Sequence, residues 1–193
     1  DIGFDFELQT ITYGTSEIIG TNAVLDVVLD TNAVTLRAVF ESDGTCGILP
    51  DTMRQNQTLT LDCSPYIAAG DVVVLPGVTM TVDPGVEIHI PPQANLWILG
   101  DVQMNGTEQA PIVLKNIVPN ETWGGIFFKN TTASSSMSYV SVVHASAGFN
   151  RLYFPAAISA YHADIHLDHL DLTDVDDNPV FARFSDVVMT NSR

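Results

Sequence analysis

Near its end this chain repeats itself at a fixed distance. Ile158-Ser159-Ala160 followed by Asp164-Ile165-His166-Leu167 realigns with Val180-Phe181-Ala182 followed by Asp186-Val187-Val188-Met189 at a constant offset of 22 residues. Segments nearer the middle of the chain recur more loosely. Pro76-Gly77-Val78-Thr79-Met80 has a counterpart 24 residues on in Gly100-Asp101-Val102-Gln103-Met104, and Val86-Glu87-Ile88 has one 26 residues on in Ile112-Val113-Leu114. A period of about 20 to 30 residues holding two or three short strands is the mark of a solenoid. One repeat cannot bury its inner face alone. Stacked repeats share a continuous apolar core, each strand pairing in parallel with its equivalents on either side. The strands of a β-sandwich are not expected to recur at fixed spacing, which argues against that use of the same segments.

Local patterning agrees. No long stretch places apolar residues at helical spacing, and short β-branched runs alternate with polar residues between Gly, Pro, Asn and Asp. From residue 71, three runs are each closed by a proline turn. Alternation puts Val72 and Val74, then Val78, Met80 and Val82, then Val86, Ile88 and Ile90 on one face. The expected class is therefore all-β, a solenoid over residues 65–193. A small β-hairpin or sandwich-like segment precedes it over 1–42, with runs at 24–29 and 34–40 turning at Asp30-Thr31-Asn32. Residues 43–64 read as a polar connection. It carries the two cysteines, Cys46 and Cys63, and a disulfide closing that loop would stabilise by roughly 3 kcal/mol; two separate thiols are the alternative.

Charge narrows the partners. The chain has 23 acids against 7 bases, a net charge of −16, and 193 residues with 46% hydrophobic content. Such a chain is folded, and phosphate backbones and anionic membrane surfaces repel it, so nucleic-acid binding is excluded as a role. No apolar run is long enough to span a bilayer, and no membrane insertion is expected. The opening residues Asp1-Ile2-Gly3-Phe4 lack a secretory pattern, but the chain reads as though cut from something longer. Four Asn-x-Ser/Thr triplets, at Asn56, Asn105, Asn120 and Asn130, together with only two lysines, lean towards a secreted or cell-surface glycoprotein.

Several segments taken in order carry a resemblance. They are 70–74, 83–88, Leu96-Trp97-Ile98-Leu99-Gly100, Asn105-Gly106-Thr107, Ala110-Pro111-Ile112-Val113-Leu114, Trp123-Gly124-Gly125-Ile126-Phe127-Phe128 and 137–145. The stretch 65–193 resembles the right-handed parallel β-helix repeat modules of bacterial secreted and cell-surface proteins. Residues 34–40 resemble the closing strand of small bacterial surface repeats. The resemblance implies a fold more than a role, because the family includes adhesins, repeat-rich surface proteins, passenger-like domains and carbohydrate-active enzymes.

Sites are sparse. The densest polar cluster spans 162–177. Alternation turns Ile165, Leu167, Leu170 and Leu172 inward, leaving His166, Asp168, Asp171 and Thr173 outside. Asp174, Asp176 and Asp177 are a candidate Ca²⁺ turn, and His162, His166 and His169 a candidate transition-metal set. The alternative is that the aspartates cap turns and the histidines are solvated. Asp164 and Asp186, 22 apart, are a candidate carboxylate pair or two turn residues. Polysaccharide lyases of similar fold imply Ca²⁺-binding acids beside a basic residue, for which Lys115, Lys129, Arg151 and Arg183 are available. Ser134-Ser135-Ser136 reads as a flexible outer loop, and no nucleophile or phosphate-loop motif is present. Trp97, Trp123 and Tyr161 are the candidate sugar-stacking platforms, with Tyr139, Tyr153 and Phe154 behind them. The expected role is a non-catalytic extracellular scaffold of the adhesin type, in contact with glycans, other surface proteins or further copies of itself. Alternatives are a polysaccharide lyase or glycoside hydrolase, and a filament subunit whose open coil end a partner completes.

Overall fold

A computed structural model describes residues 8–13, 16–20, 46–147 and 152–193. The expected hairpin over 24–40 and Arg151 lie outside them. The chain divides into two compact units, Asp1–Cys46 and Gly47–Arg193. In the first, β1 (Leu8–Tyr13) and β2 (Ser16–Gly20) form an antiparallel pair.

Everything described in the second unit is strand, turn or loop, with one 3₁₀ turn at Leu61–Cys63. Strands arrive in groups that retrace one course. The first group is β3 (Ile48–Leu49), β4 (Thr52–Met53) and β5 (Gln57–Leu59), and the next is β6 (Tyr66–Ala68), β7 (Val72–Val74) and β8 (Thr79–Val82). There follow β9 (Glu87–Ile90), β10 (Leu96–Ile98) and β11 (Asp101–Asn105), then β12 (Ile112–Asn116), β13 (Ile126–Lys129) and β14 (Ser135–Val143). The chain continues through β15 (Ala156–Tyr161), β16 (Ile165–Thr173), β17 (Asn178–Arg183) and β18 (Val187–Thr190). Every pairing in this unit is parallel, and each strand bonds to its counterpart one circuit away. One sheet runs β4-β7-β10-β13-β15-β17. The second and third columns, β5-β8-β11 and β3-β6-β9-β12, meet in β14 and continue through β16. The architecture is all-β and solenoid-like.

The reason is visible in the inward residues. Val72, Val74, Val78, Met80, Val82, Val86, Ile88 and Ile90 are all buried, as alternation predicts, and join Leu96, Ile98, Val102, Leu114 and Ile126 in one continuous core. Parallel strands with both neighbours paired leave no backbone group for water, so the polar cost of this burial is met by the ladder itself.

Three expectations change. The polar connection 43–64 carries β3, β4 and β5, which pair with β6, β7 and β8 and so form a circuit of their own. Among the described residues there only Leu49, Met53 and Leu59 are buried, too few to display a period. The 24-residue counterpart of 76–80 is also shifted: Thr79 and Met80 lie beside Asp101 and Val102, an offset of 22. A slip of two residues keeps every side chain on its own face, so alternation cannot detect it. Ser135 and Ser136 are the start of β14 and not a loop. Ser135 is buried, its hydroxyl donating to Asp101 Oδ1 (2.9 Å) and accepting from the Val102 N–H (3.0 Å). The 22-residue registers of Ile158 with Val180 and Ile165 with Val187 match the sequence repeat. Cys46 and Cys63 are both disulfide-bonded.

Turns where successive circuits touch leave no room for side chains. At Gly100, which donates its N–H to the Val74 carbonyl (3.1 Å), an added Cβ meets the carbonyl oxygens of Leu75 and Val78. At Gly70 it meets nothing within 4 Å. Gly100→Ala is therefore expected to destabilise by about 2 kcal/mol or more, with Gly70→Ala within about 0.5 kcal/mol of the parent, in urea titrations followed by circular dichroism.

Candidate functional site

Two of the strands are interrupted by a single residue. In β14 and β16 the residues Tyr139 and His169 both have φ of 49°, a left-handed conformation that bulky side chains seldom adopt. Each is a corner. It resets the alternation so that Met137 and Val140, and likewise Leu167 and Leu170, are both buried although three residues apart. The halves of β14 accordingly pair with different strands, residues 136–138 with β11 and 140–142 with β12. In β8–β9 the same corner takes the turn Asp83-Pro84-Gly85. Asn191 repeats the left-handed form beyond β18.

Because these corners stack, their side chains meet. The Tyr139 and His169 rings lie 4.2 Å apart and 13° from parallel. His169 Nδ1 is 3.0 Å from Asp168 Oδ2, while Asp168 Oδ1 accepts from Thr190 Oγ1 (2.7 Å) and Asn191 Nδ2 (2.9 Å). These donors, Thr190 foremost, hold the Asp168 carboxyl well below the usual aspartate range. Beside them runs a column of outward positions, Glu87, Val113, Ser141 and Asp171, each the register partner of the next. Asp171 accepts from Arg193 Nη2 at 3.0 Å; that bond lowers the Asp171 pKa and raises that of Arg193. Glu87 is lowered by Lys115 Nζ (2.7 Å) and then His89 Nε2 (2.9 Å). Between corner and column lies a groove of about 670 Å³ lined by Glu108, Tyr139, Ser141, His169, Asp171 and Arg193 among others. It offers a ring face, an imidazole fixed by a carboxylate, and an acid–base pair, a set suited to a polar ring-shaped ligand. The sequence hint is the doubled polar residue between inward positions, Ser138-Tyr139 and Asp168-His169, which cannot be continuous alternation. Glu108 and Arg193 carry no such hint.

The candidate sugar platforms separate. Trp123 is fully buried, its indole N–H donating to the Val143 carbonyl (2.8 Å), so it offers no ring face to a ligand. Its place in a bridge with Ala145 ties two circuits together. Trp97 is half-buried: its N–H reaches Asp71 Oδ2 (3.2 Å), and its ring meets Phe127 (5.0 Å) and Phe154 (5.2 Å) edge-on. That outer aromatic cluster explains why Phe127, on the outward register with Trp97, is nevertheless buried. Tyr161 remains partly exposed, edge-on to Tyr153, His162 and Phe184.

The candidate metal residues are not brought together. Among the described residues no three of His, Cys, Asp and Glu form a set able to hold an ion. His162 stacks on Phe184 (4.9 Å), and His166 points outward from β16. Asp174 lies 3.5 Å from His144 Nε2, the Asp176 N–H donates to the Ala145 carbonyl (3.2 Å), and Asp177 Oδ2 accepts from the Ala147 N–H (3.2 Å). The Asp177 carboxylate acts on backbone and that of Asp174 on a neighbouring histidine, which turns both away from a shared Ca²⁺ centre. Asp164 and Asp186 are stacked, but Asp164 Oδ1 accepts from the Asp186 N–H (3.0 Å), which is a backbone cap. Asn56, Asn105, Asn120 and Asn130 are all exposed.

No family model and no solved structure matches the chain. A stretch of 57 residues, 30% of this chain, is 33% identical to Protein bark beetle of Drosophila melanogaster and covers 2% of that protein's length. Among the described residues no helix is long and apolar enough to cross a membrane.

The depressed Asp168 pKa has a defined sign. A carboxylate favoured in the fold contributes stability above its unfolded pKa, near 3.9, and loses it as pH falls through the lower folded value. Thermal melts from pH 6 down to pH 2 are expected to show a steeper acid loss in the parent than in Asp168→Asn, with the two curves converging at the acid end.

Proposed function

We propose that this chain is a module of a right-handed parallel β-helix that works as a stiff extracellular scaffold, without catalysis, and offers carbohydrate a contact surface on its outer side chains. The observation that carries the reading is one outward column: Thr58, Thr81, Gln103, Ser136, His166 and Val188, each the register partner of the next. At about 4.8 Å per strand the five steps span ~24 Å. Moving any of the four residues between Thr58 and Val188 means breaking ladder bonds to both neighbouring circuits, so the column holds its side chains at set intervals. The rod would serve as a spacer and a display surface at once.

Other features support an extracellular setting. The bonded cysteines fit an oxidising compartment, and the four exposed Asn-x-Ser/Thr sites would be reachable by a glycosylating enzyme. The likeness to Protein bark beetle is too short to carry anything of that much longer protein's role.

Nitroxide labels on Thr58→Cys and Val188→Cys, both at exposed sites, test the scaffold by pulsed electron resonance. One narrow distribution is expected, centred at the ~24 Å backbone span plus the label arms. A broad or bimodal distribution would overturn the rigid-rod reading. Release of fragments from a panel of neutral and acidic glycans would overturn the absence of catalysis.

A further inference from the structure

With 7 cations against 23 acids, the places where bases gather are informative. Lys129, Tyr161 and Arg183 are register partners on three successive circuits, at the ends of β13, β15 and β17. Lys129 and Arg183 are exposed, and among the described residues neither has an acidic partner. The next position on each circuit is a left-handed corner, occupied by Asn130, His162 and Phe184 with φ of 53°, 49° and 54°. That turn throws the Phe184 ring outward, where it is 63% exposed; Tyr153, which also neighbours Tyr161, is 39% exposed. The rings around Tyr161 are splayed, whereas Phe184 is stacked at 17° on His162. Tyr161 meets Tyr153 at 82° and Phe184 at 79°, and the Arg183 guanidinium sits 5.1 Å over Phe184. Asp164 and Asp186, the nearest acids along the chain to Tyr161 and Arg183, are linked through the backbone cap between them.

We propose that this ladder binds an acidic saccharide whose charges are spaced one disaccharide apart, as in an alternating uronate–hexosamine chain; the inference rests on the reading of the outer aromatics as carbohydrate contacts. Exposed ring faces pack against the C–H faces of sugar rings, and cations on either side hold carboxylates or sulfates by charge-assisted bonds. Lys129 and Arg183 are two circuits apart, about 9.6 Å at ~4.8 Å per strand, which is close to the separation of like charges in such a polymer. Tyr161 lies between them, where the intervening sugar would stack. An acidic peptide would satisfy the two cations but offer no sugar ring to the partly exposed Tyr161 between them. The net charge of −16 opposes any polyanion at long range, saccharide and nucleic acid alike, so binding here depends on the local pair of cations.

The test is calorimetric titration of the whole chain with hyaluronan hexasaccharide, with chitohexaose as the neutral oligosaccharide and hexaglutamate as the acidic peptide. Hyaluronan is expected to bind at least about tenfold more tightly than either, and Lys129→Gln or Arg183→Gln to weaken it about tenfold each. Tyr161→Ala is expected to abolish stacking and reduce affinity similarly, while Arg54→Gln, at an exposed site elsewhere, leaves it unchanged. Thermal midpoints of all variants establish that they are folded. Absence of hyaluronan binding, equal binding of chitohexaose or of hexaglutamate, or an affinity indifferent to Lys129 and Arg183 would each overturn the site. A narrow Thr58–Val188 label distance alongside such a result would leave the scaffold standing, so the two readings fail separately.

Discussion

The parallel ladder between successive circuits is the constraint from which the rest of the second unit follows. A strand flanked on both sides by parallel partners has its backbone groups satisfied laterally, so its side chains divide without compromise between an inner and an outer face. Val74, Ile98 and Phe128, register partners on three circuits, are all fully buried. Opposite them the outward positions are free to vary. Thr58, Thr81, Gln103, Ser136, His166 and Val188 share one column yet range from hydroxyl and amide to imidazole and valine.

How much of this is legible in the sequence depends on what alternation can and cannot encode. Inward residues from Val72 to Ile90, and Ile165 and Leu167, are readable directly because every second position is apolar, whereas Leu170 comes inward only after the doubled polar pair Asp168-His169. Register is legible where two matching segments share one offset, as at Ile158 and Ile165, and also at Glu87 and Ile88, whose partners Val113 and Leu114 lie the expected 26 residues on. Between Met80 and Val102 a slip of two preserves every face, and nothing in the neighbouring residues opposes it. The first circuit is hidden because its strands are two or three residues long. Ser135 is hidden for a different reason: its inward hydroxyl is satisfied by Asp101 and Val102, a pairing 33 to 34 residues distant that no local pattern announces.

The candidate sites are less legible than the fold. Residue type points to the aspartates at 174–177 and the tryptophans at 97 and 123 as the chemistry-bearing groups. Their surroundings assign Asp177 to a backbone cap, Asp174 to a histidine pair, Trp97 to an outer aromatic cluster and Trp123 to the core. The features that do converge arise at the corners. There a left-handed residue brings side chains from successive circuits face to face, as in Tyr139 with His169 and His162 with Phe184. Aromatic stacking offsets part of the strain of holding bulky residues in that conformation.

The corners also differ from the strands in how much chain they consume. The step from one strand to its counterpart is 22 residues between Ile158 and Val180 but 32 between Ile126 and Ile158, while the ladder remains in register. Length changes are therefore absorbed outside the columns. In a lineage of such proteins, insertions would accumulate at the corners as new loops, each projecting from an unaltered frame. Diversification of the surface would then proceed without renegotiating the interior.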